Sequence, residues 1–301
     1  MMKRVTTWTA LCTMMIGLLF FTTHIQPVQA AEGINEKLGV PLVVYGETLT
    51  AEQKEEVRKL LDVDSHDDVK EFTVTGADIA HYIDGDPHSR MFSSAKIIRE
   101  EKGKGLSIHI VTADNITQVT IEMYKNALLT AGVEDATVYV ASPVKVSGHS
   151  ALSGIYKAYD VEGEELDKER MELANEELDV ATDLAEKDDV SKEEVTELLT
   201  EIKKMLADRK PVSREEVEQI VKEQIDKLNI KLDDADIQRL TDLFDKMRDI
   251  NIDFDKVRDQ LDDIASTIKD KIKDLNIDDS FWDKVANFFR DIINWIKGLF
   301  S

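Results

Sequence analysis

The only cysteine in this chain, Cys12, lies inside an N-terminal segment that has the marks of an export signal. Lys3 and Arg4 supply a basic start, and Leu11 to Phe21 is apolar apart from Cys12, Thr13 and Gly17. Val28-Gln29-Ala30 then has the small-x-small form read by a signal peptidase. The segment is too short and too soon followed by polar chain for a stable membrane span. Residues 1–30 are therefore expected to be a signal peptide, with the mature chain starting at Ala31 and working outside the cytoplasm, secreted or held peripherally at the envelope. Leu11 before Cys12 does not suit lipoprotein processing, which needs a small residue there. An exported chain without a thiol cannot use disulfides, so its roughly 270 residues must bury a core large enough to stand alone.

Charge narrows the partners. The formal net charge of -23 becomes -25 once Lys3 and Arg4 are removed. Nucleic acid is excluded as a partner, because a phosphate backbone is bound through clustered Lys and Arg. The acidity reads either as a solvated helix surface or as a means of attracting calcium or a basic partner. Two acidic stretches lack the pattern of a calcium loop. Asp62, Asp64 and His66 are followed by Asp67 at the turn-glycine position and end on Thr73, and Asn251, Asp253 and Asp255 are followed by Lys256.

Charge and periodicity change near residue 160. Residues 31–160 hold 13 basic and 21 acidic residues, whereas residues 161–301 hold 23 and 40. The expected class is α+β, with a mixed-sheet α/β domain over 31–160. An acidic helical region of short helices and hairpins follows over 161–279, and a C-terminal helix over 280–301. The boundary is placed in Asp160-Val161-Glu162-Gly163, between units joined by a helix.

In the first part, Val40–Tyr45, Val69–Val74 and Ala136–Ala141 read as strands. Thr50-Ala51-Glu52-Gln53 is a capping box opening a helix to Leu61, and Thr75 caps a short helix through Ile83. Ser93–Arg99 and Leu106–Val111 flank Lys102-Gly103-Lys104-Gly105, which predicts a hairpin. Thr117 is expected to begin an amphipathic helix ended by Gly132, and Ser147-Gly148-His149-Ser150 to start another. In the second part, Ser191 and Ser213 each open a capping box. Asn-Ile recurs at 229, 251 and 276, each time at a helix end and before an Asp able to cap the next helix. Ile250, Phe254, Val257, Leu261, Ile264, Ile268 and Leu275 keep a heptad rhythm. The close Asn-Ile turns favour antiparallel hairpins over one long rod.

The last segment is the most distinctive. On a helix, Phe281, Trp282, Val285, Phe288, Phe289, Ile292, Trp295, Ile296, Leu299 and Phe300 share one face, opposite Asp283, Lys284, Asn287, Arg290, Asp291, Asn294 and Lys297. Burying each large apolar side chain contributes roughly 1.5 to 3 kcal/mol, so this face needs a cover. It can complete the core, lie in a membrane interface, or meet a partner protein or a second copy.

Motifs that name a reaction are missing, and no cofactor is expected. Gly148-His149-Ser150-Ala151-Leu152 has the strand-to-helix setting of a nucleophile elbow, with Leu152 where its second glycine belongs. It keeps a secreted hydrolase acting through Ser150 as the alternative to a non-catalytic envelope-binding protein. The small residues there equally suit close packing or an anion site. With no cysteine after residue 30 and no His-x-x-x-His pair, zinc has little support.

Several segments together resemble a known group. They include Thr75-Gly76-Ala77-Asp78, Ser93-Ser94-Ala95, Ala131-Gly132-Val133, Ala141-Ser142-Pro143-Val144 and Val146-Ser147-Gly148 through Ala151-Leu152-Ser153-Gly154-Ile155. Residues 40 to 160 so read are similar to the YpuA-type family of exported Gram-positive proteins, a domain of unknown function. The resemblance implies secretion to the envelope and carries no catalytic residues.

Overall fold

A computed structural model of the chain describes residues 38–64, 66, 68–163, 166–187 and 190–274. Five strands form one mixed sheet: β1 (Leu42–Gly46), β2 (Lys70–Val74), β3 (Ser94–Arg99), β4 (Leu106–Ile110) and β5 (Ala136–Ala141), in the spatial order β2-β1-β3-β5-β4. β1 runs parallel to β2 and β4 parallel to β5, while β3 is antiparallel to both its neighbours. Two strand-helix-strand units are thus joined through a reversed central strand. The first crossover is α1 (Ala51–Leu60) and the second α3 (Ile121–Ala131).

Alternation along the strands separates two faces. Leu42, Val44, Ala95, Ile97, Val138 and Val140 belong to the main core, whereas Val43, Tyr45 and Ala141 meet Val57 of α1 in a small second cluster. The main face is covered by α2 (Gly76–Ile83), α3 and α4 (Ser150–Val161), of which α4 packs on β1, β2 and β3. Gly154 of α4 faces Val44 and Val74 of the sheet, where a Cβ would make ordinary contact at 3.4 Å from Val44 Cγ1.

Local signals explain most helix starts. Thr50, Thr75, Ser191 and Asp233 each complete a reciprocal capping box. They open α1, α2, α6 (Lys192–Arg209) and α8 (Asp234–Asp249). Ser213 caps α7 (Arg214–Leu228) from its side chain alone, because Glu216 Oε2 accepts instead from the Val212 N–H at 2.7 Å. Asn229, at φ +55°, ends α7 in the left-handed conformation, and Asn251, also at +55°, follows α8 in the same way. A single 3-10 turn at Phe254–Val257 then leads into α9 (Arg258–Asp274). Leu275 and Asn276 lie outside the described residues.

Besides the capping box expected at Ser213, which is not completed, two sequence expectations need correction. β3 and β4 do not form a hairpin, because β5 lies between them. The glycines of the Lys102–Gly105 loop serve a wider turn, in which the N–H groups of Gly103 and Gly105 donate to Asp135 Oδ1 at 2.9 and 2.7 Å. Asp135 immediately precedes β5, so the loop is tied to the strand it steps over. The third helix starts three residues later than expected. Thr120 is its cap, while Thr117 gives both its N–H and its hydroxyl to the Val146 carbonyl at 2.9 Å.

Apolar packing continues past residue 160. α5 (Lys168–Ala185) packs on α3, α6 packs on α5 and α9, and α7 pairs with α8. One continuous cluster runs from Leu42 in the sheet to Ile272 in α9. Between α3, α5 and α6 it encloses a polar network: buried Lys203 Nζ donates to Glu177 Oε1 at 2.5 Å and to the Asn126 carbonyl at 2.9 Å, and Thr130 donates to Glu177 Oε2 at 2.6 Å. At the sheet edge, Gln260 of α9 accepts from the Leu106 N–H at 2.8 Å and donates to the Glu134 carbonyl at 3.0 Å.

Candidate functional site

The segment singled out as a strand-to-helix turn opens into a cleft of about 470 Å³ at the start of α4. Its walls come from α2, the loop between α2 and β3, residues 145–150, and α5. The backbone of residues 146–148 is held firmly. Val146 bridges Ile116 in parallel fashion, and the Ser147 carbonyl accepts from the N–H groups of Gln118 and Val119 at 3.3 and 3.2 Å. Tyr124 donates its buried hydroxyl to the Gly148 carbonyl at 2.6 Å. Gly148 adopts φ +112°, and a Cβ there would lie 2.7 Å from Tyr124 Oη, so this position requires glycine on two counts.

His149 occupies the cap position of α4 but does not cap it with its side chain. Its ring reaches across the cleft floor, with Nδ1 3.0 Å from Ser147 Oγ, and Nε2 3.2 Å from Thr182 Oγ1 and 3.4 Å from Asp179 Oδ1. The neighbours assign the tautomer. Thr182 gives its own hydroxyl hydrogen to the Leu178 carbonyl at 3.0 Å, so it accepts from His149. Nε2 then carries the proton, which also faces the Asp179 carboxylate, and Nδ1 accepts from the Ser147 hydroxyl. Burial holds the imidazole below its ordinary range, against the opposing pull of Asp183 and Glu186. Burial and the neighbouring Asp183 push Asp179 up to about 6, with Arg239 working in the other direction.

Ser150, the sequence candidate for a nucleophile, lines the same cleft, but the His149 ring contacts are to Ser147, Thr182 and Asp179. A serine needs a base within hydrogen-bond reach to be activated, and both imidazole nitrogens of His149 are engaged by other residues. The rest of the cleft escaped sequence reading. Asp179 and Asn175 come from α5, and Arg90, Ser89 and Asp86 from the loop after α2. Only the tertiary fold brings them to the His149 turn, and the acidic helix carrying Asp179 offers many equivalent carboxylates. The aromatic face from Phe281 to Phe300 lies outside the described residues. Among those described, no helix is long and apolar enough to cross a membrane.

A five-stranded mixed sheet carrying a helical series, with a polar cleft at the turn before α4, defines an α+β protein. The model for a family described as a protein of unknown function (DUF1002) matches residues 45–264, and the chain belongs to that family. The match begins in β1 and ends within α9, so it takes in the helical series as well as the sheet. The uncharacterized protein YpuA of Bacillus subtilis (strain 168) is 34% identical over 299 residues, covering 95% of this chain and 98% of the relative. No solved structure matches the chain.

Proposed function

We propose that this chain is an exported, non-catalytic binding protein of the cell envelope, and that its C-terminal amphipathic helix, residues 280–301, contacts the membrane surface or an envelope protein. The observation that carries the non-catalytic part is the orientation of His149, which leaves the Ser150 hydroxyl without a base. Support for export comes from Lys3, Arg4, the apolar run after Leu11 and the Val28-Gln29-Ala30 end. Support for a contact surface comes from the ten apolar residues that share one helix face between Phe281 and Phe300, with Trp282 and Trp295 among them.

The reading is tested by deleting residues 280–301 and following the protein in cell fractions and with lipid vesicles. The expected result is a folded, more soluble chain that no longer sediments with envelope material, while the parent chain does. Trp282 and Trp295 emission in the parent should shift to the blue only when vesicles or envelope extract are added. Blue-shifted emission in buffer alone, with a clear fall in melting temperature on deletion, would show instead that this helix completes the core. N-terminal sequencing of material from the medium checks cleavage before Ala31.

A further inference from the structure

The cleft at the start of α4 carries charges of both signs, with Asp86 on the same loop as Arg90 and Asp179 apart from them on α5. Arg90 lies on the loop after α2 and Lys145 on the turn before α4. Both are exposed, and among the described residues neither is in an ion pair. Arg90 instead sits 5.5 Å from the centre of the Phe92 ring. In a chain this acidic, most cations near a carboxylate are engaged by it, as Arg239 is by Asp183 at 2.7 Å close by on the surface. Across the cleft, Asp179 is oriented by the Asn175 side-chain amide at 3.1 Å and by His149 Nε2 at 3.4 Å. Asp86, also in the lining, has its carboxylate turned to the His88 N–H at 2.8 Å.

These signs discriminate between ligand classes. With the Asp86 carboxylate engaged by the His88 N–H, a simple anion would still meet Asp179 as well as the cations, and a simple cation would meet Arg90 and Lys145. A molecule with a carboxylate at one end and an ammonium at the other satisfies both signs, and the volume of about 470 Å³ falls in the range of small-molecule sites. We propose that this cleft binds a small zwitterion of amino-acid or short-peptide type, with its carboxylate against Arg90 and Lys145 and its ammonium against Asp179. His149 and Asn175 are positioning residues: they hold the Asp179 carboxylate in place, and the His149–Ser147 bond fixes the ring. The assignment goes beyond envelope contact by the C-terminal helix and does not depend on it, because it is read in solution without membranes.

The test is calorimetric titration of the whole chain, purified as the cell processes it, with alanyl-alanine. Two blocked forms follow: N-acetyl-alanyl-alanine, which lacks the ammonium, and alanyl-alanine amide, which lacks the carboxylate. Each blocked form should bind about tenfold more weakly, the loss expected when one charge-assisted contact goes. Arg90→Gln should weaken the free dipeptide but leave the amide unchanged, and Asp179→Asn should weaken the free dipeptide but leave the acetylated form unchanged. Arg90 is exposed and Asp179 half-exposed, so melting temperatures of both variants no lower than the parent's exclude unfolding as the cause. Absence of heat with alanyl-alanine up to about 10 mM, or equal binding of all three probes, would overturn the assignment. So would binding that neither substitution alters.

Discussion

Glu197 on α6 is 2% exposed at its side chain, with Lys269 Nζ at the edge of ion-pair range, 4.0 Å away, and Lys227 acting on it from further off. One turn on, Glu201 is surrounded by Lys204, Lys227 and Lys269 at 3.1, 3.0 and 3.8 Å. Burial raises the Glu197 carboxyl to about 7 from an ordinary 4.5, with Lys269 only partly offsetting it. Burial works against Glu201 too, but the ammonium groups of Lys227 and Lys204 outweigh it and hold that carboxyl below its usual range. For Glu197 the folded chain keeps a proton that the unfolded chain releases, so stability falls as pH rises from about 4.5 to about 7. At roughly 1.4 kcal/mol per pH unit across that window, the loss is about 3 kcal/mol. Glu197→Gln removes the ionisation and should therefore stabilise the chain by about 3 kcal/mol at pH 8, and by under about 1 kcal/mol at pH 5. Urea unfolding of parent and variant at both pH values measures the difference. Glu201→Gln should destabilise at pH 8, the opposite sign. A Glu197→Gln effect of the same size at both pH values would refute the argument, since a packing change does not follow the proton.

The buried pair between α5 and α6 and one glycine supply further expectations. Lys203→Ala strands the Glu177 carboxylate without its cation and should cost about 3 to 5 kcal/mol, whereas Lys203→Met combined with Glu177→Gln should recover much of that loss in a urea-unfolding double-mutant cycle. Gly76 begins α2 where a Cβ would lie 1.8 Å from the Pro87 carbonyl oxygen, so Gly76→Ala should destabilise by about 1 to 3 kcal/mol, read as a lower melting temperature.

The elements that could be read from sequence are those set by neighbours within a few residues. Capping boxes at Thr50, Thr75 and Ser191 and the left-handed caps at Asn229 and Gly132 act over three or four positions, and these helix ends fall where the residues place them. Strand periodicity was legible for the same reason, but strand order was not. The glycine-rich loop after β3 satisfies a tight hairpin and a wide step over β5 equally well, until Asp135, about thirty residues on, supplies the acceptor for its N–H groups. Nor could residue spacing show that Lys203 is buried. A lysine on an acidic helix reads as solvated, and it is enclosed here because Asn126 and Glu177 meet it from two other helices, with Thr130 holding the Glu177 carboxylate.

The candidate site divides along the same line. The turn from Ser147 to Ser150 stands out in sequence because Gly148 and small hydroxyl residues precede an apolar helix, yet that signal does not say which serine the histidine between them meets. The imidazole of His149 could turn to Ser150 or to Ser147 as far as local sequence goes. The choice is made by Thr182 and Asp179 on α5, which draw Nε2 toward that helix and leave Nδ1 over Ser147. The helical series that looks like an acidic appendage to the sheet therefore completes its cleft: α5 provides the carboxylate, the amide that orients it, and the hydroxyl that sets the histidine tautomer. A sheet domain cut after residue 160 would lose that wall and bare the side of α3 that α5 covers. The family match crossing this position into α9 follows the same physical unit.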